Sequence, residues 1–292
     1  MHRRQIVLAG FSLALVFVIL NCLPYVPELL GGTWEGERLA WFTIGSQAAA
    51  FLVPALLLLA LRRTGLPVRL RWKGFSVSAA PFVLTFSLAV SILSFVLNYI
   101  ISLLFPFLES GAADFSGAPW WLVLLASILV PAFCEEFFMR GALFSSFESC
   151  GTGVAVAASA LAFAMVHGTM ANFAGPLVAG LAYAYMAYAL DSVWPAIFAH
   201  LLNNWLALQL SSLVTTYAAF GLWSYFLAFS VILFLVLLTF ALRSLERLIG
   251  KGVIRSFQQG EEGLLVAVLQ SFLSPGFILF TVLFLTKTIF SL

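Results

Sequence analysis

The sequence predicts an all-α fold, a polytopic membrane bundle of about eight or nine transmembrane helices. Three observations carry this. Hydrophobic residues make up 63% of the 292-residue chain and charged residues only 9%, whereas a water-facing surface needs far more charge. Apolar runs of about 20 residues recur, each long enough to cross a hydrocarbon core of about 30 Å. No stretch shows the short alternating segments of a membrane β-barrel.

Taken in order, nine segments qualify: 5–23, 39–61, 75–104, 119–147, 152–168, 171–190, 193–217, 219–242 and 264–290. The first follows Arg3 and Arg4 and imitates a signal peptide. No small-residue cleavage site follows it, and Asn21 precedes Cys22 where a lipoprotein signal needs a small residue, so it reads as an uncleaved span. The last contains Ser274-Pro275-Gly276 and is expected to kink there or to be two short pieces. The three cysteines, Cys22, Cys134 and Cys150, are too scattered for a disulfide framework or a zinc site and read as small apolar filler.

Charge sets the orientation. Arg3 and Arg4 precede the first span. Arg62, Arg63, Arg69, Arg71 and Lys73 occupy the second connection, and Arg243, Arg247, Lys251 and Arg255 the one before the last segment. Alternating spans bring all three clusters to one face, the cytoplasmic one by the positive-inside rule. Glu28, Glu35, Glu37, Glu109 and Asp114 fall on the other. The expectation is a multi-pass protein of the cell membrane with a cytoplasmic N-terminus. The basic clusters are topogenic, with anionic lipid as their partner and no nucleic acid implied.

Against this background, three ionisable residues in VPAFCEEFFMRGALF stand out. Each costs at least about 2.5–3.5 kcal/mol at mid-bilayer unless paired or functional. Glu136 and Arg140 are four apart, share a helical face and can pair. Glu135 points about 100° away and is left available. Helical phase alone leaves an exchange of the two carboxylates open, as it does a purely structural ion-pair lock. His167 ends one span, and His200 and Asn204, again four apart, share a face of another. Counted from the basic face at 1.5 Å per residue, Glu135 lies about 18 Å deep, His167 about 22 Å, His200 about 14 Å and Asn204 about 20 Å. Four polar groups on antiparallel spans converge on one level, which predicts a single pocket, expected to be wetted from the cytoplasmic side.

A carboxylate in such a pocket suits general-base work, a histidine beside it can hold water, and a second histidine with a carboxamide can donate to a developing oxyanion. The set suffices for amide hydrolysis without a cofactor. Zinc is the rival, since Glu and two His could ligate it, but there is no HExxH and the histidines lie on separate helices.

Three motifs then stand in order: Glu135-Glu136-Phe137-Phe138-Met139-Arg140 (EExxxR), Phe163 to His167 (FxxxH) and His200 to Asn204 (HxxxN). Together they resemble the CPBP family, the type II CaaX prenyl proteases and their bacterial Abi relatives, over roughly residues 118–215. The resemblance implies an intramembrane, metal-independent glutamic endopeptidase acting on a membrane-associated or lipidated protein. Glu135 and His167 would activate water, His200 and Asn204 would form the oxyanion site, and Glu136, Arg140 and Phe163 would support them. The chain accordingly divides into N-terminal transmembrane helices (1–117), catalytic core helices (118–217) and C-terminal transmembrane helices (218–292). The competing expectations are a non-enzymatic factor that binds a partner protein or peptide in the same pocket, and, behind it, a proton-coupled transporter. The latter usually shows inverted repeats, and none is visible here.

Overall fold

A computed structural model describes residues 2–32, 34–61, 70–105 and 115–290, with residues 2, 211, 212, 214, 215, 218 and 219 described for their backbone alone. Arg62, Arg63, Arg69, Glu109 and Asp114 lie outside the described residues. The architecture is an all-helical bundle. Its helices are α1 (His2–Cys22), α2 (Gly36–Leu61), α3 (Ala80–Leu104), α4 (Trp120–Cys150), α5 (Thr152–Val166), α6 (Ala174–Ala189), α7 (Trp194–Ala219), α8 (Trp223–Gly250), α9 (Leu264–Phe272) and α10 (Pro275–Phe290).

Five helices are long and apolar enough to cross a membrane among the described residues, or six if α9 and α10, bent by 59° at Ser274-Pro275, count as one span. The chain is therefore a multi-pass membrane protein. Its outer surface agrees: Phe229, Ile232, Leu235, Val236 and Phe240 of α8 are all exposed, a row that suits lipid and not water. The five do not include α5, α6 and α7, the helices that supply His167, Tyr183, His200 and Asn204. At 15 and 16 residues, α5 and α6 are shorter than a full span, and most of their residues are buried.

The glycines at this centre permit close helix approach. A Cβ on Gly180 would stand 3.0 Å from Ala160 Cα, and one on Gly175 would stand 2.6 Å from the Asn98 amide. Helix α4 departs from regular winding twice, at Leu125–Leu129 and Phe137–Leu143, where wide i→i+5 turns replace the α pattern. Pro131 lies between them. Such turns are rare and cluster where side chains must be re-aimed.

One end of the bundle is tied together by charge. Asp191 bonds Lys73 at 2.5 Å and Arg255 at 2.7 Å and lies 3.5 Å from Arg71, whose guanidinium also pairs with Glu148. Burial pushes the Asp191 carboxyl up, but Lys73, Arg255 and Arg71 outweigh it and hold it below the usual aspartate value. Backbone bonds from Val193 to Arg71 and from Arg255 to Ala189 close the same end. Arg243 and Arg247, expected in a connection, instead belong to the last turns of α8, which runs on to Gly250.

Candidate active site

The site is built on α4. Arg140 reaches back one turn and donates from Nη1 to Glu136 Oε1 at 3.0 Å and from Nη2 to the carbonyl of Gly180 at 2.9 Å. Its guanidinium stands 4.6 Å from the Phe163 ring centroid and 5.5 Å from that of Tyr183. Both Glu136 and Arg140 are 0% exposed. His200 closes the group, with Nδ1 2.9 Å from Glu136 Oε1. Since Glu136 is the acceptor for Arg140, Nδ1–H of His200 donates. Tyr183 stacks on the imidazole at 5.5 Å between centroids. Glu136 is thus held between a guanidinium and an imidazole through Oε1, while its Oε2 is buried with no hydrogen-bond partner among the described residues.

Glu135 faces another way. It lines a cavity of about 460 Å³ together with His167, Val166, Phe51, Gln47, Ser46 and Thr43. Its Oε2 is buried and has no hydrogen-bond partner among the described residues. A carboxylate oxygen left without a partner in such surroundings is costly, so its placement at a cavity wall is the notable feature. His167 follows the last residue of α5. Its Nδ1 lies 2.7 Å from the Phe163 carbonyl; a carbonyl only accepts, so Nδ1 carries the proton. When the ring is neutral, this tautomer leaves Nε2 as the base. Phe163 packs both histidines, at 5.0 Å from His167 and 5.4 Å from His200.

A second cavity, of about 180 Å³, lies on the other side of His167 and is lined also by Phe163, His200, Asn203 and Asn204. Asn204 Nδ2 donates to Ser127 O at 3.3 Å. Pro131, four residues beyond Ser127, has no N–H for that carbonyl, and the amide takes the place of the missing helical donor. All seven residues singled out by sequence, Glu135, Glu136, Arg140, Phe163, His167, His200 and Asn204, come together in this one region of the bundle. His200 differs from expectation in pairing with Glu136.

The larger cavity does not open toward the basic face, as expected from sequence. Its wall includes Leu23, Pro24 and Pro27 after α1 and Leu39 and Phe42 at the start of α2. These elements lie at the opposite end of the bundle from the Arg71–Glu148–Asp191 cluster. The reason is depth: a histidine at the far end of α5 is close to that end. Sequence reasoning also missed Asn21, Gln47 and Lys287 in the same wall. A lysine in the last turn of the last apolar helix was the available signal. Among the described residues, no group of three or more His, Cys, Asp and Glu is placed to hold a metal ion.

Residues 117–206 match the family model described as Type II CAAX prenyl endopeptidase Rce1-like. The match contains the three motifs and relates the chain to the CPBP and CaaX-protease family, a family of membrane peptidases. It leaves α1 to α3 and α8 to α10 outside. Neither curated proteins nor solved structures match the chain.

Proposed function

We propose that the chain is an intramembrane glutamic endopeptidase that hydrolyses a peptide bond in a membrane-associated or lipidated protein without a metal. One observation carries the reading: of two adjacent buried carboxylates, Glu136 is bonded to Arg140 and His200, while Glu135 shares a cavity wall with His167. In this reading water in that cavity gives a proton to Glu135 and is oriented by Nε2 of His167. Its oxygen adds to the scissile carbonyl carbon. The developing oxyanion would lie in the second cavity, across His167 from the water, where it would be met by Asn204, whose bond to Ser127 is long enough to exchange, and by His200. Nδ1–H of His200 already serves Glu136, so donation from Nε2 requires the doubly protonated ring, whose charge faces that carboxylate. Collapse breaks the C–N bond, and the proton held on Glu135 passes to the leaving amine.

The positive-inside rule supports a cytoplasmic N-terminus. The cavity then opens outward or laterally into lipid, and the substrate bond approaches from there. The test is cleavage of quenched lipidated peptides by purified protein in nanodiscs, with and without a chelator. Cleavage that survives chelation and disappears in His167→Ala is expected. Loss to the chelator alone would replace this mechanism by a metal-dependent one.

A further inference from the structure

Helix α10 lies outside the family match, yet it brings a charge to the cavity. It runs along α1, and the two backbones touch where glycines face each other. A Cβ on Gly10 would stand 2.4 Å from Phe277 N, and one on Gly276 would stand 2.4 Å from Phe11 N. From that contact both helices continue in the same direction for eleven residues, 10 to 21 and 276 to 287. There the Lys287 ammonium donates to Asn21 Oδ1. The glycine contact and the amide contact together fix where the lysine sits.

Its surroundings are those of the reaction. Lys287 is the one cation among the described residues that line the cavity shared by Glu135 and His167. Gly168, next to His167, has φ +76°, and a Cβ there would stand 3.1 Å from Lys287 Nζ and 3.5 Å from Cε. The glycine leaves the space that the lysine stem occupies. An ammonium has three donors, and Asn21 takes one of them. Among the described residues Lys287 forms no ion pair. Gln47 Oε1, in the same wall, is buried without a partner among them. A charge in the last turn of an apolar helix that stands at a cavity wall without an ion-pair partner among the described residues suits an anion, and the anions that a peptide supplies are carboxylates.

We propose that Lys287 is a specificity-determining residue that binds a substrate carboxylate, either the chain terminus or an acidic side chain, and so sets which peptide bond rests against Glu135 and His167. The inference builds on the peptidase reading above.

Binding separates the two. Glu135→Gln protein in nanodiscs is titrated with three pools of dansylated apolar hexapeptides. One pool has a free C-terminal carboxylate, one a C-terminal amide, and one the amide plus an internal glutamate. The fluorescence anisotropy is read. At least one carboxylate pool is expected to bind roughly tenfold tighter than the neutral amide pool, the usual gain from a hydrogen bond to a charged group, and which one identifies the source. Lys287→Gln, which keeps a donor for Asn21, is expected to erase the difference, and Lys287→Arg to retain it. Equal binding of all pools, absence of binding by every pool, or a difference that survives Lys287→Gln would each overturn the proposal. Carboxylate-dependent binding with no proteolysis by the parent protein would count against the peptidase reading alone. Cleavage indifferent to substrate carboxylates would count against Lys287 alone.

Discussion

Replacing Arg140 by methionine removes the guanidinium while keeping most of the volume that packs on Phe163 and Tyr183. Two bonds are lost, at 3.0 Å to Glu136 and 2.9 Å to the Gly180 carbonyl. Glu136 then remains 0% exposed, with His200 alone beside it. Removing one partner of a buried ion pair costs about 3–5 kcal/mol, and an unsatisfied buried carbonyl adds about 1–3 kcal/mol. Arg140→Met is therefore expected to lose at least about 4 kcal/mol of stability. Glu136→Gln alone leaves the guanidinium unpaired and is also destabilising. The double variant has no unpaired charge and should recover about 1–3 kcal/mol relative to the sum of the single effects, the coupling expected of residues in contact. Unfolding by SDS titration from mixed micelles, followed by tryptophan fluorescence, measures all four proteins. Additivity within about 0.5 kcal/mol would refute the buried pair as the lock of this site.

Three further outcomes are expected. Asp191 is held below its usual pKa, so its contribution to stability is complete above the unfolded value and is lost as pH falls through the lower folded value. Asp191→Asn should flatten the acid limb of a stability–pH curve, and an unchanged limb would contradict the cluster. Gly276→Ala places a methyl 2.4 Å from Phe11 N and should cost about 1–3 kcal/mol as α1 and α10 part, measurable by the same SDS titration. In a Cys22→Ser background, Thr43→Cys and Ser46→Cys should react with impermeant maleimide from the side opposite to Lys73→Cys; labelling from one common side would contradict the opening described.

Much of the site was legible in the sequence because each motif is local. Glu136 and Arg140 lie one turn apart, and that spacing alone makes the pair, even though α4 widens into i→i+5 turns there. Phe163 and His167 repeat the same geometry across one turn. The kink at Ser274-Pro275 follows from proline chemistry. What was not legible depends on contacts between distant segments. That His200 pairs with Glu136, 64 residues away, and not with Glu135, is set by how α7 packs on α4. The direction of the cavity follows from depth: the same arithmetic that brought the polar groups to one level put His167 about 22 Å from the basic face of a core about 30 Å thick, nearer the other side. Lys287 reaches the site through the packing of the last helix on the first, by the Gly10–Gly276 and Phe17–Phe280 contacts. No local pattern encodes that.

The division of labour between two adjacent carboxylates is the centre of the account, and comparing Glu135→Gln with Glu136→Gln tests it most directly. Turnover per folded molecule of a quenched lipidated peptide and stability to SDS are measured on both. Glu135→Gln is expected to keep the parent stability and lose turnover by at least about 10²-fold, the scale of a removed general base. Glu136→Gln is expected to lose stability and, in the fraction that remains folded, to lose less turnover than Glu135→Gln, because it takes away only the counter-charge of His200. The reverse pattern, with full turnover in Glu135→Gln and none in folded Glu136→Gln, would contradict the account.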